Sequence, residues 1–561
     1  MKQAAARDSS RSLAGFWSLI GVQFQGAFSD NLLKWVVTFL VLGMAIDPAE
    51  RNRLVVLVIP LLFAIPFLLF SMAGGYLADR YSKRGVTIGT KLLEIVVALL
   101  ALLGFWRGSL NIDFAAVFLI SVQAALFGPS KYGLLPELLP ERKLSWGNGI
   151  IELGTFVAII TGTMAAGALS DRFRGSEQIQ GLFLLALALV GLAVSLGITR
   201  VPAADPARKM KWNPLADLWG QVQRMRRDRL LGLAVAGNTF FWFLGALILI
   251  NTALYAADVL RVSDTQTSLL LAAMSIGIGI GSFVAGYLSG NKIEYGLVPV
   301  GAIGVATMMI LLSQRGLSFA QVAWELGWTG FFGGFFAVPL SAMIQYRPRP
   351  EEKGGIIAAA NLFSFVGIAL QPVAQYLLIF FGHPRPPQVF LITGFLTLAA
   401  TGLALALQPD ALLRLGLWGA TRTAWPLRVE GREHLPVRGP ALILVPRMRA
   451  RGMLCLVAAT DRNLRFLLSP RSTQAFGRWL GAIPFESGPE DRQRTALATA
   501  RALERGQVVC VPEEAWWVAQ SLDGVTAPLV SVTIAPAGPF SRSVVRFSPI
   551  QPNSAAPSPS G

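Results

Sequence analysis

Asp30 and Lys34 lie inside an apolar run near the start of the chain, one helical turn apart, with Gln23 and Asn31 close by. An ionisable side chain in such a run is costly, and it faces either a partner or a cavity. Two readings fit the spacing: an i,i+4 ion pair that satisfies itself, or an anion and a cation presented to a ligand. Lys91 and Glu94 stand three apart in a third run, a spacing that suits a structural pair as well as a cavity lining. Gln123 precedes Phe127-Gly128-Pro129-Ser130-Lys131-Tyr132-Gly133. There Pro129 and the glycines are expected to break a helix and free backbone groups, and Lys131 with Tyr132 suits a phosphate. Asn148 and Glu152 follow in the next run. Later runs carry less charge and offer Asn238, Gln345 and Asn361 among many Phe residues. Charges of both signs on one side, with amides and rings on the other, suit a zwitterionic or anionic head group with an apolar tail. A small sugar suits them less well.

These side chains need elements that carry them through a membrane. The chain is 53% hydrophobic and 14% charged, where a soluble domain carries about 25% charged residues. Its net charge of +17 fits basic cytoplasmic loops and not nucleic-acid binding. The two cysteines, Cys455 and Cys510, lack metal-site spacing, and His383 and His434 are the only histidines, so no metal or cofactor is expected. Apolar runs begin near Leu13, Leu54, Gly85, Phe114, Trp146, Ile179, Leu230, Ser268, Gly296, Val322, Gly355 and Val389. Each is read as a spanning helix, the first being too long for a cleaved leader. Most Lys and Arg then fall on the side that holds both termini, which is therefore read as cytoplasmic.

The runs form two repeats. Gly75-Tyr76-Leu77-Ala78-Asp79 recurs as Gly286-Tyr287-Leu288-Ser289-Gly290, Pro129 as Pro339, and Asn148 as Asn361, at nearly one offset. Two parallel six-helix halves resemble the major facilitator superfamily, whose binding site lies between the halves near the midplane. Gly75, Asp79, Arg80, Lys83 and Arg84 resemble that superfamily's loop motif, in which a small residue permits close helix approach and the Asp pairs with basic groups. Its second copy is degenerate at Gly290.

A narrower resemblance rests on several motifs. Gln23-Phe24-Gln25-Gly26-Ala27-Phe28-Ser29-Asp30-Asn31 with Lys34 resembles the first span of bacterial lysophospholipid transporters. So do Phe127-Gly128-Pro129 with Lys131-Tyr132-Gly133, Asn148-Gly149 with Glu152, and Val338-Pro339-Leu340 with Gln345. The likeness spans roughly residues 14 to 408 and departs at Ala360, where that family has a second asparagine. It implies flipping of lysophosphatidylethanolamine and lysophosphatidylglycerol from the outer to the inner leaflet of the bacterial cytoplasmic membrane, for re-acylation inside. Gln23, Asp30, Asn31, Lys34, Gln123, Lys131, Tyr132, Asn148, Glu152, Asn238, Gln345 and Asn361 are the candidate substrate contacts.

The last part of the chain differs. Its short apolar runs alternate with helical patterns, as in an α/β domain. Gly481-Ala482-Ile483-Pro484-Phe485 and Val511-Pro512-Glu513-Glu514 resemble blocks of the glycerolipid acyltransferases. That family's chemistry needs a His-x4-Asp pair after the first buried strand, the His as base and the Asp to orient it. Here Arg447 and Gly452 stand at those places. Arginine stays protonated near neutral pH and cannot act as the base, so the domain is read as inert.

The expected organisation is a cytoplasmic N-terminus (1–13), a six-helix half (14–199), an amphipathic linker (200–229), a second half (230–408), an interfacial linker (409–426), an acyltransferase-like domain (427–552) and a disordered tail (553–561). The fold class is an all-α, twelve-span membrane protein followed by that small α/β domain. Expected partners are a lysophospholipid, membrane lipids, and a separate acyltransferase or acyl-carrier-protein-dependent enzyme. Two other functions stay open at this point: a membrane-anchored active acyltransferase, and an ion-coupled efflux carrier for amphipathic compounds.

Overall fold

The computed structural model describes the chain apart from Met1 and residues 140–143, 204, 208–213, 290–293, 295, 408–415, 417–426, 432–433, 437–438, 447–449, 461, 463, 470–481, 486–487, 523–526, 536–542 and 550–561. Arg447, Gly290, most of the 409–426 linker and the 553–561 tail therefore lie outside the described residues. The chain divides into two compact units, Met1–Gly286 with Val300–Ala400, and Tyr287–Pro299 with Thr401–Gly561.

The first unit is helical. Its elements are α1 (Lys2–Leu42), α2 (Pro48–Arg80), α3 (Lys83–Arg107), α4 (Leu110–Leu138), α5 (Leu144–Arg172) and α6 (Gln178–Ser195). The amphipathic helix α7 (Pro214–Arg227) follows, with Arg224, Arg226 and Arg227 in its last turn. Then come α8 (Arg229–Leu260), α9 (Asp264–Ser289), α10 (Leu297–Leu312), α11 (Phe319–Tyr346), α12 (Pro350–Gly382) and α13 (Pro386–Leu407). Every expected span falls on one of these helices. Among the described residues, ten are long and apolar enough to cross a membrane; α1 and the shorter α10 are not among the ten. The protein is thus a multi-pass membrane protein.

Local chemistry fixes the helix ends. Asp47 accepts from the amides of Ala49 and Glu50 and starts α2, with Pro48 at its first turn. Asp228 caps α8 in the same way and is held by Arg347, at 2.8 and 3.1 Å. A Ser318–Gln321 capping box opens α11. Pro129 does not break its helix: α4 runs through it to Leu138. The missing amide frees the Ala125 carbonyl, and α2 presses Gly74 against that carbonyl and Leu126. The close approach expected at Gly75 thus falls one residue earlier, and Gly75 has open space beside it.

In the second half, Gly277 and Gly281 of α9 lie against the α11 backbone at Gly327 and Phe331, and Gly330 and Gly334 of α11 lie against the α9 backbone at Met274, Ile278, Gly281 and Ser282. A Cβ at any of the four would collide with the opposite backbone. Small residues four apart on both helices are what lets membrane helices touch by their backbones.

The second unit contains a seven-stranded mixed sheet in the order β1-β7-β6-β2-β5-β3-β4. Its strands are β1 (Leu427–Glu430), β2 (Ala441–Val445), β3 (Leu464–Leu468), β4 (Ile483–Pro484), β5 (Val508–Pro512), β6 (Leu529–Ala535) and β7 (Ser543–Pro549). All neighbours pair in parallel except β6 with β7. The central strands β2 and β5 are buried along their whole length, as strands covered on both faces must be. Helix α14 (Ala450–Ala459) lies between β2 and β3, and α15 (Pro489–Glu504) between β4 and β5.

Candidate functional site

Asp30 sits within α1 with Lys34 one turn further on. Instead of closing on Asp30, Lys34 donates to Asn31 Oδ1 at 3.2 Å. Its ammonium also lies 4.8 Å from the Phe63 ring centroid and 5.4 Å from that of Trp35, close enough for cation–π attraction. Asn31 in turn donates to the Ala27 carbonyl. The consequence is that Asp30 Oδ1 is buried without a hydrogen-bond partner.

Lys91 and Glu94 are wholly inside, 0% and 2% exposed. Lys91 donates to Glu94 Oε2 and to Gln25 Oε1, both at 2.7 Å. Gln25 returns a bond to Glu94 Oε1 at 2.6 Å and donates to Ser29. Gln123 completes the set on Glu94 Oε2 at 3.4 Å. This cluster joins α1, α3 and α4, and the ammonium fills the space beside Gly26. A buried pair is tolerable when its remaining hydrogen-bonding groups are met, and here Glu94 accepts three donors.

Toward the end of α4, Tyr132 donates to Glu152 of α5 at 2.8 Å, and Lys131 lies 4.4 Å from the Tyr132 ring centroid. Gln23 donates to Thr155 of α5 at 2.8 Å. Asn148 is exposed near the start of α5. In the second half, Asn238 donates to Ser364 at 2.9 Å, while Gln345 and Asn361 are exposed on α11 and α12. The structure therefore gathers Asp30, Asn31 and Lys34 into one group and Lys131, Tyr132 and Glu152 into another. It draws Gln123 into the Glu94 cluster.

The loop-motif residues are bound within the first half. Arg80 bonds Tyr76, and Lys83 pairs with Glu137 of α4. Arg84 caps the end of α6 through the carbonyls of Leu196 and Ile198, at 2.9 and 2.7 Å. The Asp79 carbonyl accepts from the amide of Asp205.

The opposite end of the bundle is where the halves meet. Asp171 of α5 accepts from the amides of Asp264 and Thr265 at the start of α9, at 3.2 and 2.8 Å. A carboxylate there also meets the positive end of the helix dipole. Arg174 pairs with Asp264, and Arg51 with Asp258 at 2.8 Å. Gly167 lets α5 touch the Asp264 carbonyl and Ser268. Between the halves, Phe67 of α2 stacks on Phe365 of α12 with centroids 4.3 Å apart.

Sequence reasoning did not single out Gln25 as a site residue, nor Asp171, Arg174 and Asp264. Gln25 had a signal, a polar residue two positions from Gln23 and so on another face of the helix. The others look like ordinary charges at helix ends.

In the second unit, β2 and β5 run in register with Val445 beside Pro512. The chain thus leaves β2 next to Pro512 and the exposed Glu513, while Gly452 lies in the first turn of α14. Arg447 lies outside the described residues. Cys510 is fully buried in β5, and that burial pushes its thiol well above the ordinary range. Arg546 bonds Glu430 and holds its carboxyl below the ordinary range.

Residues 53–372 match the family described as the Major Facilitator Superfamily. The lysophospholipid transporter LplT of Serratia proteamaculans is 30% identical over 352 residues, 62% of this chain and 83% of that protein. The protein of that name from Cronobacter sakazakii is 29% identical over 367 residues, covering 64% and 88%. Among solved structures, the nucleoside transporter NupG superposes with a TM-score of 0.56 at 14% identity, covering 71% of this chain and all of that one. A bacterial homologue of the human lysosomal transporter Spinster, inward-facing and unoccupied, gives 0.52 at 14% identity over 74% of this chain and 97% of that one. At such identity these structures speak for the fold alone.

Proposed function

This chain belongs to the Major Facilitator Superfamily, among its lysophospholipid transporters, and we propose that it flips lysophosphatidylethanolamine and lysophosphatidylglycerol across a bacterial cytoplasmic membrane. The direction is from the outer to the inner leaflet. The observation that carries the reading is Asp30. Its Oδ1 is buried without a donor, and Lys34, the cation one turn away, is turned to Asn31. A carboxylate kept in that state is an acceptor waiting for a cation. The ammonium of an ethanolamine head group supplies one, and the phosphate beside it finds Lys34 and Lys131. Glu152 and Tyr132 act at the inner end of the path. Gln23, Asn148, Asn238, Gln345 and Asn361 supply neutral contacts along it, while Gln123 is held in the Glu94 cluster. The acyl chain trails in lipid.

With both termini in the cytoplasm, the end held by Asp171, Arg174 and Asp264 is periplasmic. The conformation described is then closed to the outside, and transport alternates it with one in which these contacts part. The loop-motif residues brace the first half during that motion. The acyltransferase-like domain does no acyl transfer, since Arg447 and Gly452 replace the base and its orienting acid. Re-acylation falls to a separate enzyme.

The test is uptake of labelled lysophosphatidylethanolamine by spheroplasts of a strain lacking its own lysolipid carrier, with the full chain expressed. Uptake above the empty-vector control is expected, with no diacyl product from purified protein given an acyl donor. Absence of uptake by a correctly inserted protein overturns the reading.

A further inference from the structure

The amphipathic helix α7 takes no part in the site described above, and its two sides differ. One side is docked on the second half. Met225 is 4% exposed, and its carbonyl lies against Gly232 of α8. The Gln221 side chain fills the space beside Gly355 of α12, and Arg224 reaches Glu352 of the same helix at 3.7 Å. Asp228, which joins α7 to α8, is occupied by the cap of α8 and by Arg347. The other side is uncovered. Trp219, Gln223, Arg226 and Arg227 fall at i, i+4, i+7 and i+8, the spacing of one helix face. All four are exposed, Trp219 at 58%. Arg229, the first residue of α8, is exposed as well.

We propose that this uncovered face binds the anionic phospholipids of the leaflet at its end of the bundle, so that α7 lies on the membrane surface. The inference holds whichever molecule the bundle carries. The neighbours set the level of the helix. It ends one residue before a spanning helix begins, and Glu352 and Gly355 stand in the first two turns of another. A helix docked there lies at the boundary of lipid and water. The residue types suit that boundary. An indole ring has an apolar body and one N–H donor, and it settles at head-group depth. Arginine lays its stem along apolar surface and offers a planar fork to a phosphate. The acid next in sequence, Asp228, is already engaged by Arg347 and leaves Arg226 and Arg227 uncompensated. Each such cation favours an anionic over a neutral surface by about fivefold.

The experiment places the full chain, with Gln223→Cys carrying a nitroxide, in nanodiscs of phosphatidylcholine alone and in nanodiscs rich in phosphatidylglycerol. The native Cys455 and Cys510 are buried and leave the label to the introduced thiol. Collisions of the nitroxide with oxygen, which dissolves in lipid, are compared with collisions with a water-soluble nickel complex. In the phosphatidylglycerol discs the label is expected to be open to oxygen and shielded from nickel, and less so in phosphatidylcholine. Arg226→Gln with Arg227→Gln should bring the phosphatidylglycerol reading to that of phosphatidylcholine. Raising the salt concentration should act in the same direction, which keeps the test decisive where the double variant does not accumulate. Nickel access in both lipids overturns the proposal and makes the face a solvated one. A depth that is equal in both lipids, or that survives both the double variant and high salt, also overturns it: α7 is then held by its protein contacts and does not read lipid charge.

Discussion

A buried carboxylate oxygen without a donor weakens the protein that carries it, and Asp30 Oδ1 is such an atom. Removing the charge should therefore separate stability from function. Asp30→Asn is expected to cut lysophosphatidylethanolamine uptake at least tenfold, while the melting temperature in detergent holds or rises. A fall in melting temperature with uptake intact would make Asp30 a structural residue. Lys91 should behave in the opposite sense. Lys91→Met leaves Glu94 unpaired at 2% exposure, and losing one partner of a buried pair costs about 3–5 kcal/mol. A melting temperature lowered by several degrees is the expected reading. The sequence allowed both roles for each pair, since Asp30 with Lys34 and Lys91 with Glu94 both have helical spacing. The two pairs were resolved by groups far away in the chain: Phe63 draws Lys34 aside, and Gln25 and Gln123 close around Glu94. In the second unit, burial holds the Cys510 thiol protonated and covered, so maleimide should label it only after denaturation. Labelling of the native protein at neutral pH would contradict its burial.

At the scale of elements, the helices were legible because twenty-residue apolar runs carry a strong signal. Their contacts were less so. Pro129 looked like a break, yet α4 passes through it, because Gly74 of α2 covers the carbonyl that the proline leaves free. No local rule finds a partner 55 positions away. The crossing of α9 and α11 was hidden for a related reason. Gly277, Gly281, Gly330 and Gly334 sit in runs with many other glycines, and only the fold selects the four that face a backbone. Gly281→Leu is expected to prevent that crossing and abolish accumulation of the protein in the membrane. Gly279→Leu, two positions away where a Cβ meets nothing within 4 Å, should be tolerated. Equal accumulation of both variants would show that the crossing does not hold the second half together.

For the whole molecule, the decisive contacts are those that join one half to the other, and the sequence marks them least. The twofold repeat tells that two halves exist, but Arg51, Asp171, Arg174, Asp258 and Asp264 read as unremarkable charges beside loops. The structure puts all five where the halves meet at one end. The alternating access proposed above requires that end to open once per cycle, and under it these contacts must be strong enough to close it and weak enough to part. Partly exposed ion pairs fit that demand, since each contributes only about 0–1 kcal/mol. Fixing them covalently should then stop transport without disturbing the fold. With cysteines at Arg51 and Asp258, a short bis-methanethiosulfonate crosslinker, which joins the two thiols through disulfides and releases sulfinate, is expected to block lysophosphatidylethanolamine uptake in spheroplasts, where this end faces the medium if it is periplasmic. Reduction should restore it. The native Cys455 and Cys510 are buried and leave the readout to the introduced pair. Uptake that continues through the crosslink would mean that Arg51 and Asp258 stay together throughout the cycle, and the moving boundary would have to lie elsewhere in the bundle.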